Sequence, residues 1–460
     1  MTTTADLPSR LGDVIGVHNV VSAIEELADH ATDGLLPRAV ACPTSAEQAA
    51  EIVRFARAEK LALQAFGSRS KCEMGMRAER CDISIDMRRL SEVAHYDAGD
   101  LTLSVDAGMP LRELSEFLSQ HGQFLPLAVP CFESSTAGGA VASGIDSALR
   151  QQYGSVRDFL IGAEFVDGTG QLCKSGGRVV KNVTGYDLHK LLIGSLGTLG
   201  VITRLNFRTF PFPAANGACL ATFDNAEKML AFRRNAEGKG LPLADLESLN
   251  PGTVEILRAI LGRTDSNTAE LLPPGTWCVY CSYEGNESVV ARIAEELKQA
   301  ARDASAIGCT QLQGSADEQL GGMLREAYEW LRWASPATLL LRITLPQLTA
   351  NFVGELERIA SSPPLRFSLL VRAGGVVYLT ILADGESDTT RSLLADLALG
   401  AGKFARANKG HSTILNAPVA VKTRVASLRM HLPHEPLQVR LKQAFDPANI
   451  FVPGRIVGGI

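Results

Sequence analysis

The stretch of this 460-residue chain best suited to chemistry is a run of small residues, Ser134-Ser135-Thr136-Ala137-Gly138-Gly139-Ala140-Val141-Ala142-Ser143-Gly144. Side chains this short leave backbone N–H groups uncovered, and converging N–H groups hold phosphate oxygens. Thirteen of the 42 glycines fall between Gly138 and Gly200, about one residue in five against roughly one in fourteen elsewhere. Glycine loses the most entropy on folding, so such crowding marks backbone that needs positive φ or approaches a ligand closely. One part reads as an ordinary turn: Asp167-Gly168-Thr169-Gly170 joins two short strand-like runs, Ala163 to Val166 and Gln171 to Lys174, as a hairpin would.

Other chemistries fit less well. There is no Walker lysine motif, and Gly194, Gly197 and Gly200 lack the spacing and setting of a dinucleotide fingerprint. Cys278-Val279-Tyr280-Cys281 has metal-site spacing, but in a strand-like run its two thiols face opposite sides. His431-Leu432-Pro433-His434 carries a proline between its histidines and reads as a surface loop. The four-cysteine spacing of an iron–sulfur site is missing.

Composition frames these residues. The length calls for two or three domains, and a net charge of −5 argues against nucleic acid as the main partner. No apolar run approaches the roughly 18 residues of a membrane span, and Met1 to Arg10 lacks the pattern of a signal peptide. These features point to the cytoplasm. Nine scattered cysteines are not a disulfide framework.

Five segments then follow one another in a telling order. Pro43-Thr44-Ser45-Ala46-Glu47 opens a helix, with Thr44 expected as N-cap and Glu47 as its reciprocal partner. Ala49, Ile52, Val53 and Ala56 continue it at helical spacing. Strand-like Leu61 to Phe66 leads into Gly67-Ser68-Arg69-Ser70-Lys71. Leu125 to Pro130, the Ser135 to Gly144 loop, and Tyr153 to Asp158 complete the series. In these segments the chain resembles the FAD-binding domain shared by vanillyl-alcohol oxidase, p-cresol methylhydroxylase and flavin-linked 2-hydroxyacid dehydrogenases. Within that family it is most similar to the FAD-binding accessory subunits of bacterial glycolate oxidases.

The resemblance implies an α+β fold: a two-subdomain FAD-binding domain of the p-cresol methylhydroxylase type under an antiparallel-sheet cap. It assigns Gly67, Ser68, Arg69 and Ser70 to the first diphosphate loop, where the family reads Gly-x-Gly-Thr, so Arg69 and Ser70 are departures. Ser135, Thr136, Gly138 and Gly139 would line the diphosphate and ribityl chain, and Gly144, Gly154 and Val156 would lie along the flavin and nucleotide. Ile202 would face the adenine; it and Val156 read equally as core. Family members that tether FAD use most often a histidine of the first loop. Between Leu61 and Met76 there is only Cys72, so non-covalent FAD is expected.

Residues 1–36 are expected to be an N-terminal extension with a helix from Val20 to His30, 37–213 the FAD-binding domain, and 214–435 the cap. Alternating strand and helix signals in the cap suggest an antiparallel sheet covered on one face. Tyr328, Trp330 and Trp333, at helical spacing, read as core rather than a substrate cage. Residues 436–460 should return to the FAD domain, since Leu441 to Arg455 resembles the closing Asp-Pro-x-x-Ile-x-Asn-Pro-Gly-Arg, with Val452 in place of asparagine.

Oxidising a 2-hydroxy acid needs an anion clamp, a base for the hydroxyl proton and an exposed flavin N5. Self-sufficient members carry a paired-histidine segment with Gly-Asp-Gly-Asn, which this chain lacks. The candidates left are His411, in a Gly-His that matches accessory subunits, and Arg342, a charge inside an apolar strand. His411 reads as base or structural histidine, Arg342 as clamp or surface ion pair. Leu196 replaces the glutamate of Gly-Ser-Glu-Gly-Thr-Leu-Gly, again as in accessory subunits. The implied partners are a second FAD-containing catalytic subunit, an iron–sulfur subunit and a small hydroxy acid. They would hold the chain at the inner face of the cell membrane.

Overall fold

Three sheets position the site in the computed structural model, which describes residues 6–178, 185–361, 363, 365–427 and 435–456. His431-Leu432-Pro433-His434 lies outside the described residues. In the first sheet, strands Ala39–Ala41, Ile83–Asp86 and Leu63–Phe66 run parallel, with Val20–Val21 antiparallel at the edge. Their apolar residues are buried under helix Ala46–Glu59, as parallel strands require.

That helix presents Ala49, Ile52, Val53 and Ala56 to the core as its spacing predicts. Its cap is shifted by one residue from the expectation. Ser45 is the N-cap, accepting from Gln48 N at 3.2 Å, and Gln48 Oε1 accepts from Thr44 N at 2.9 Å. Gln48 performs the reciprocal task assigned to Glu47 because an amide oxygen accepts as a carboxylate does.

The second sheet is antiparallel, in the order Val93–Asp97, Thr102–Asp106, Val201–Arg208, Leu160–Val166, Leu172–Gly176. The expected hairpin closes it. Asp167 Oδ1 accepts from Thr169 N at 2.9 Å and Gln171 N at 3.0 Å, while Gly170 takes φ 81°.

The third sheet has eight antiparallel strands: Gly308–Leu312, Ala215–Phe223, Trp277–Gly285, Leu243–Leu249, Arg366–Arg372, Val376–Ala383, Ala337–Thr344 and His411–Asn416. Helices cover both faces, which corrects the one-face expectation. Ala226–Gly238, Glu287–Asp303, Ala350–Ala360 and Asp388–Ala407 pack on one side. Pro251–Thr264, Ser315–Arg325 and Ala327–Arg332 fill the other, in a core shared with Leu103 and Phe165 of the second sheet and with Val141. Strands such as Val376–Ala383, buried at every position, need two dry faces. Cys278 and Cys281 fall into these two different cores, as strand geometry dictates.

The N-terminus differs from the expected helix over Val20 to His30. A helix forms at Leu7–Ile15, Val20–Val21 joins the first sheet, and Ile24–Ala28 is a single short helix. At the other end, Leu63 N donates to Ile450 O at 2.7 Å and Val452 N to Leu63 O at 3.0 Å. The closing segment is thereby stitched beside the strand that leads into the first loop.

Candidate functional site

Strand Leu63–Phe66 runs out into loop Gly67 to Lys71, opposite the N-terminus of helix Ala137–Ser143. Gly67, Ser68, Arg69 and Ser70 line one cleft with Gly139, and a smaller adjoining cleft that shares Gly67 and Gly139 is walled by Thr136, Gly138 and Ile202. Thr136 caps the helix by accepting from Gly139 N at 3.2 Å. A Cβ at residue 67 would lie 2.0 Å from Thr136 Oγ1, so only glycine lets the two segments meet.

The cleft fits a diphosphate-bearing cofactor on two observations. A Cβ on Gly139 would touch only Thr136 Oγ1 at 3.0 Å, and one on Gly197 nothing nearer than 4.0 Å, so both glycines face open space. Arg69 stands at φ 63° with Nη1 buried and unpartnered among the described residues. The positive φ explains why the family has glycine there, and the orphaned guanidinium nitrogen calls for an anion.

Other expected residues lie apart from this lining. Ser135 is buried beneath it, its Oγ 2.5 Å from Lys71 Nζ. Gly144 is the left-handed C-cap of the helix, where a Cβ would meet Gly194 at 2.7 Å. Gly154 takes φ 77° against Asp158, and Val156 is buried in the core. Protein neighbours demand these two glycines.

A cavity of about 660 Å³ opens from the cleft, sharing Ser143, Leu196 and Arg455 with it. Both catalytic candidates line it. Strands Ala337–Thr344 and His411–Asn416 are neighbours in register, Arg342 opposite Thr413 and Thr344 opposite His411, which brings them to the wall facing Gly194. Arg342 Nη1 donates to Gly144 O at 2.6 Å and lies 3.5 Å from Asp146, while its Nε is buried without a partner among the described residues. Arg342 is therefore both an ion-pair residue and a cavity residue. Burial, then the Arg342 charge, pushes the His411 imidazole below its usual range, with Asp146 opposing. Among the described residues the cavity walls carry Arg342, Arg406, Lys409 and Arg455 and no carboxylate, a setting for an anion.

Three departures from the family pattern share one backbone feature. Arg69, Leu196 and Val452 take φ of 63°, 52° and 44°. Glycine or asparagine adopts that region with least strain, whereas a β-branched valine costs about 1–3 kcal/mol there.

The aromatic trio splits up, which corrects its reading as core. Tyr328 is buried, Trp330 is half-buried with Nε1 donating to Met323 O at 2.7 Å, and Trp333 is 68% exposed. The two tryptophans line a separate cavity of about 1130 Å³ against helix Pro251–Thr264. Sequence reasoning missed Lys71 and Arg455 as cleft residues. Both lie in segments already singled out, but their burial becomes visible only in three dimensions.

Residues 37–176 match the family described as FAD binding domain. Glycolate oxidase subunit GlcD of Bacillus subtilis is 24% identical over 432 residues, covering 92% of this chain and 89% of that one. Glycolate oxidase subunit GlcE of Escherichia coli is 37% identical over 167 residues, covering 36% of this chain and 47% of that one. Among solved structures, p-cresol methylhydroxylase with substrate bound superposes with a TM-score of 0.76 at 14% identity, over 97% of this chain and 95% of that one. Residues 37–176 thus match an FAD binding domain, and the chain as a whole has the fold of p-cresol methylhydroxylase.

Proposed function

We propose that the chain is the FAD-binding accessory subunit of a glycolate oxidase complex, in which it supports oxidation of glycolate to glyoxylate. The observation that carries this reading is the cationic cavity where Arg342 and His411 meet Gly194 and Leu196 at the end of the FAD cleft. Bound there, FAD would accept the hydride. Arg342 would hold the substrate carboxylate and His411 the hydroxyl proton. Both groups are poorly prepared for rapid turnover. Arg342 is partly spent on Gly144 and Asp146, and His411 has no hydrogen-bond partner among the described residues to orient it. A second FAD-containing subunit and an iron–sulfur subunit would complete the reaction. They would keep the complex in the cytoplasm at the inner face of the membrane; no helix among the described residues is long and apolar enough to cross it.

The same cavity supports a second reading, an independent dehydrogenase of a small 2-hydroxy acid such as D-lactate. Stopped-flow mixing of the purified chain with glycolate or D-lactate separates them. An unoriented base costs about 10²- to 10⁴-fold in rate, so flavin bleaching should be slow alone and rapid with co-expressed partners. Rapid bleaching of the single chain would establish the second reading.

The FAD is non-covalent in this proposal. Cys72 is the thiol of the first loop, and burial raises its pKa, which disfavours the thiolate that a tether needs. Acid precipitation should release all flavin as FAD; colour held in the washed pellet would contradict it.

A further inference from the structure

A buried ammonium ordinarily sits against a carboxylate, because taking it out of water costs several kcal/mol. Lys71 does not. The residue is 8% exposed, and Nζ donates only to neutral oxygens: Ser135 Oγ at 2.5 Å, Pro130 O at 2.9 Å and Ser70 Oγ at 3.2 Å. The carboxylates that face it are committed elsewhere. Glu326 accepts from the backbone N–H groups of Cys131 at 2.5 Å and Phe132 at 3.2 Å. Glu329 pairs with Arg332 at 2.7 Å and lies 3.0 Å from Cys131 Sγ, and Arg332 also donates to Ser70 O at 3.2 Å. Lys71 has no ion-pair partner among the described residues.

The three neutral oxygens take up its three protons but leave its charge unbalanced beside the cleft. Lys71 lines it together with Arg69, whose Nη1 is buried without a hydrogen-bond partner among the described residues. Arg455, a third cation on the wall, is already paired with Asp33 at 3.3 Å. Apart from these cations the loops that meet there contribute glycines and hydroxyls, Gly67, Ser68, Ser70 and Gly139.

We propose that Lys71 is the buried counter-cation of the FAD diphosphate, so that the cofactor completes an ion pair which the protein alone leaves open. Binding of FAD is then linked to a proton. In the flavin-free protein, burial brings Lys71 down to about 8, with Arg332 acting in the same direction and Cys131, Glu326 and Glu329 opposing. Below that pH the ammonium is already formed and affinity does not change with pH. Above it the amine is neutral, and each FAD bound must bring one proton from solvent onto Nζ. Log Kd therefore rises with a slope approaching one per pH unit until the pKa of the bound state is reached.

The test requires no turnover and is independent of the substrate. Flavin-stripped protein is titrated with FAD, followed by quenching of flavin fluorescence, from about pH 6 to about pH 10. Wild type should show constant affinity up to about pH 8 and progressive weakening above it. Lys71→Met should bind FAD about tenfold to hundredfold more weakly at neutral pH, with a flat profile. Riboflavin, which lacks the diphosphate, should distinguish neither the two proteins nor the pH values. Lys71→Arg, charged throughout, should bind FAD without the alkaline weakening. A flat wild-type profile overturns the proposal, as does Lys71→Met binding within twofold of wild type. An alkaline limb that persists in Lys71→Arg would assign the titration to another group and equally overturn it.

Discussion

Gly139 and His411 show how differently two site residues are constrained. Gly139 lies in a helix at ordinary dihedrals, and a side chain there would project into the cleft past Thr136 Oγ1. Replacing it with valine costs the helix nothing in propensity, so Gly139→Val should leave thermal unfolding of the flavin-free protein unchanged while weakening FAD by more than about tenfold. A purified variant with a normal flavin spectrum would show that the diphosphate lies elsewhere. For His411 the expectation concerns pH. Burial first, and then the Arg342 charge, lower its pKa, which favours the neutral imidazole that can accept a proton. Substrate reduction of the flavin in the assembled complex should fall only on the acid side of the ordinary histidine range, and His411→Gln should remove that limb. A limb retained in the variant would assign it to another group.

At the scale of elements, the site depends on pieces far apart in the chain being pinned together by buried charge. Asp33, in the N-terminal segment, takes Lys422 at 2.7 Å and Arg455 at 3.3 Å. It ties helix Val419–Ser427 and the closing segment to the wall of the cavity. Asp33→Ala would strand two buried cations, and removing one partner of such a cluster costs about 3–5 kcal/mol. Urea unfolding should show a loss of that size; a loss below about 1 kcal/mol would mean that water reaches the cluster. The capping of helix Ala46–Glu59 is a smaller device. Ser45→Ala should cost about 1 kcal/mol and Thr44→Ala less, the reverse of what the expected register implies.

For the whole molecule, the decisive feature is that cap and FAD side share one core, running from Leu103 and Val141 through Cys278 to Leu415. The cleft and the cavity meet at Leu196 and Arg455, along the same seam. Unfolding should be a single transition that FAD shifts as a unit, by about 2.7 kcal/mol at a free concentration a hundred times Kd. Calorimetry showing two transitions, only one of them responding to FAD, would separate the cap from the binding domain.

Local chemistry was legible in the residue string. Apolar spacing fixed helix Ala46–Glu59 and Asp167 to Gly170 closed its hairpin, because each rests on neighbours a few residues away; the glycines and hydroxyls over Ser135 to Gly139 suggested a phosphate cradle, a reading that the proposed function carries forward. Arg342 was visible as a charge in an apolar strand, and His411 through the Gly-His it shares with accessory subunits. Their meeting was not, since it depends on the register between two strands and on the cap resting over Gly194. The two-sided cover of the cap sheet, the loose placement of Trp333 and the pinning of Asp33 were hidden for the same reason. So was Lys71, whose sequence neighbours are those of any loop lysine. Only tertiary packing removes water from around a side chain, and that removal makes an ordinary lysine a charge in need of a partner.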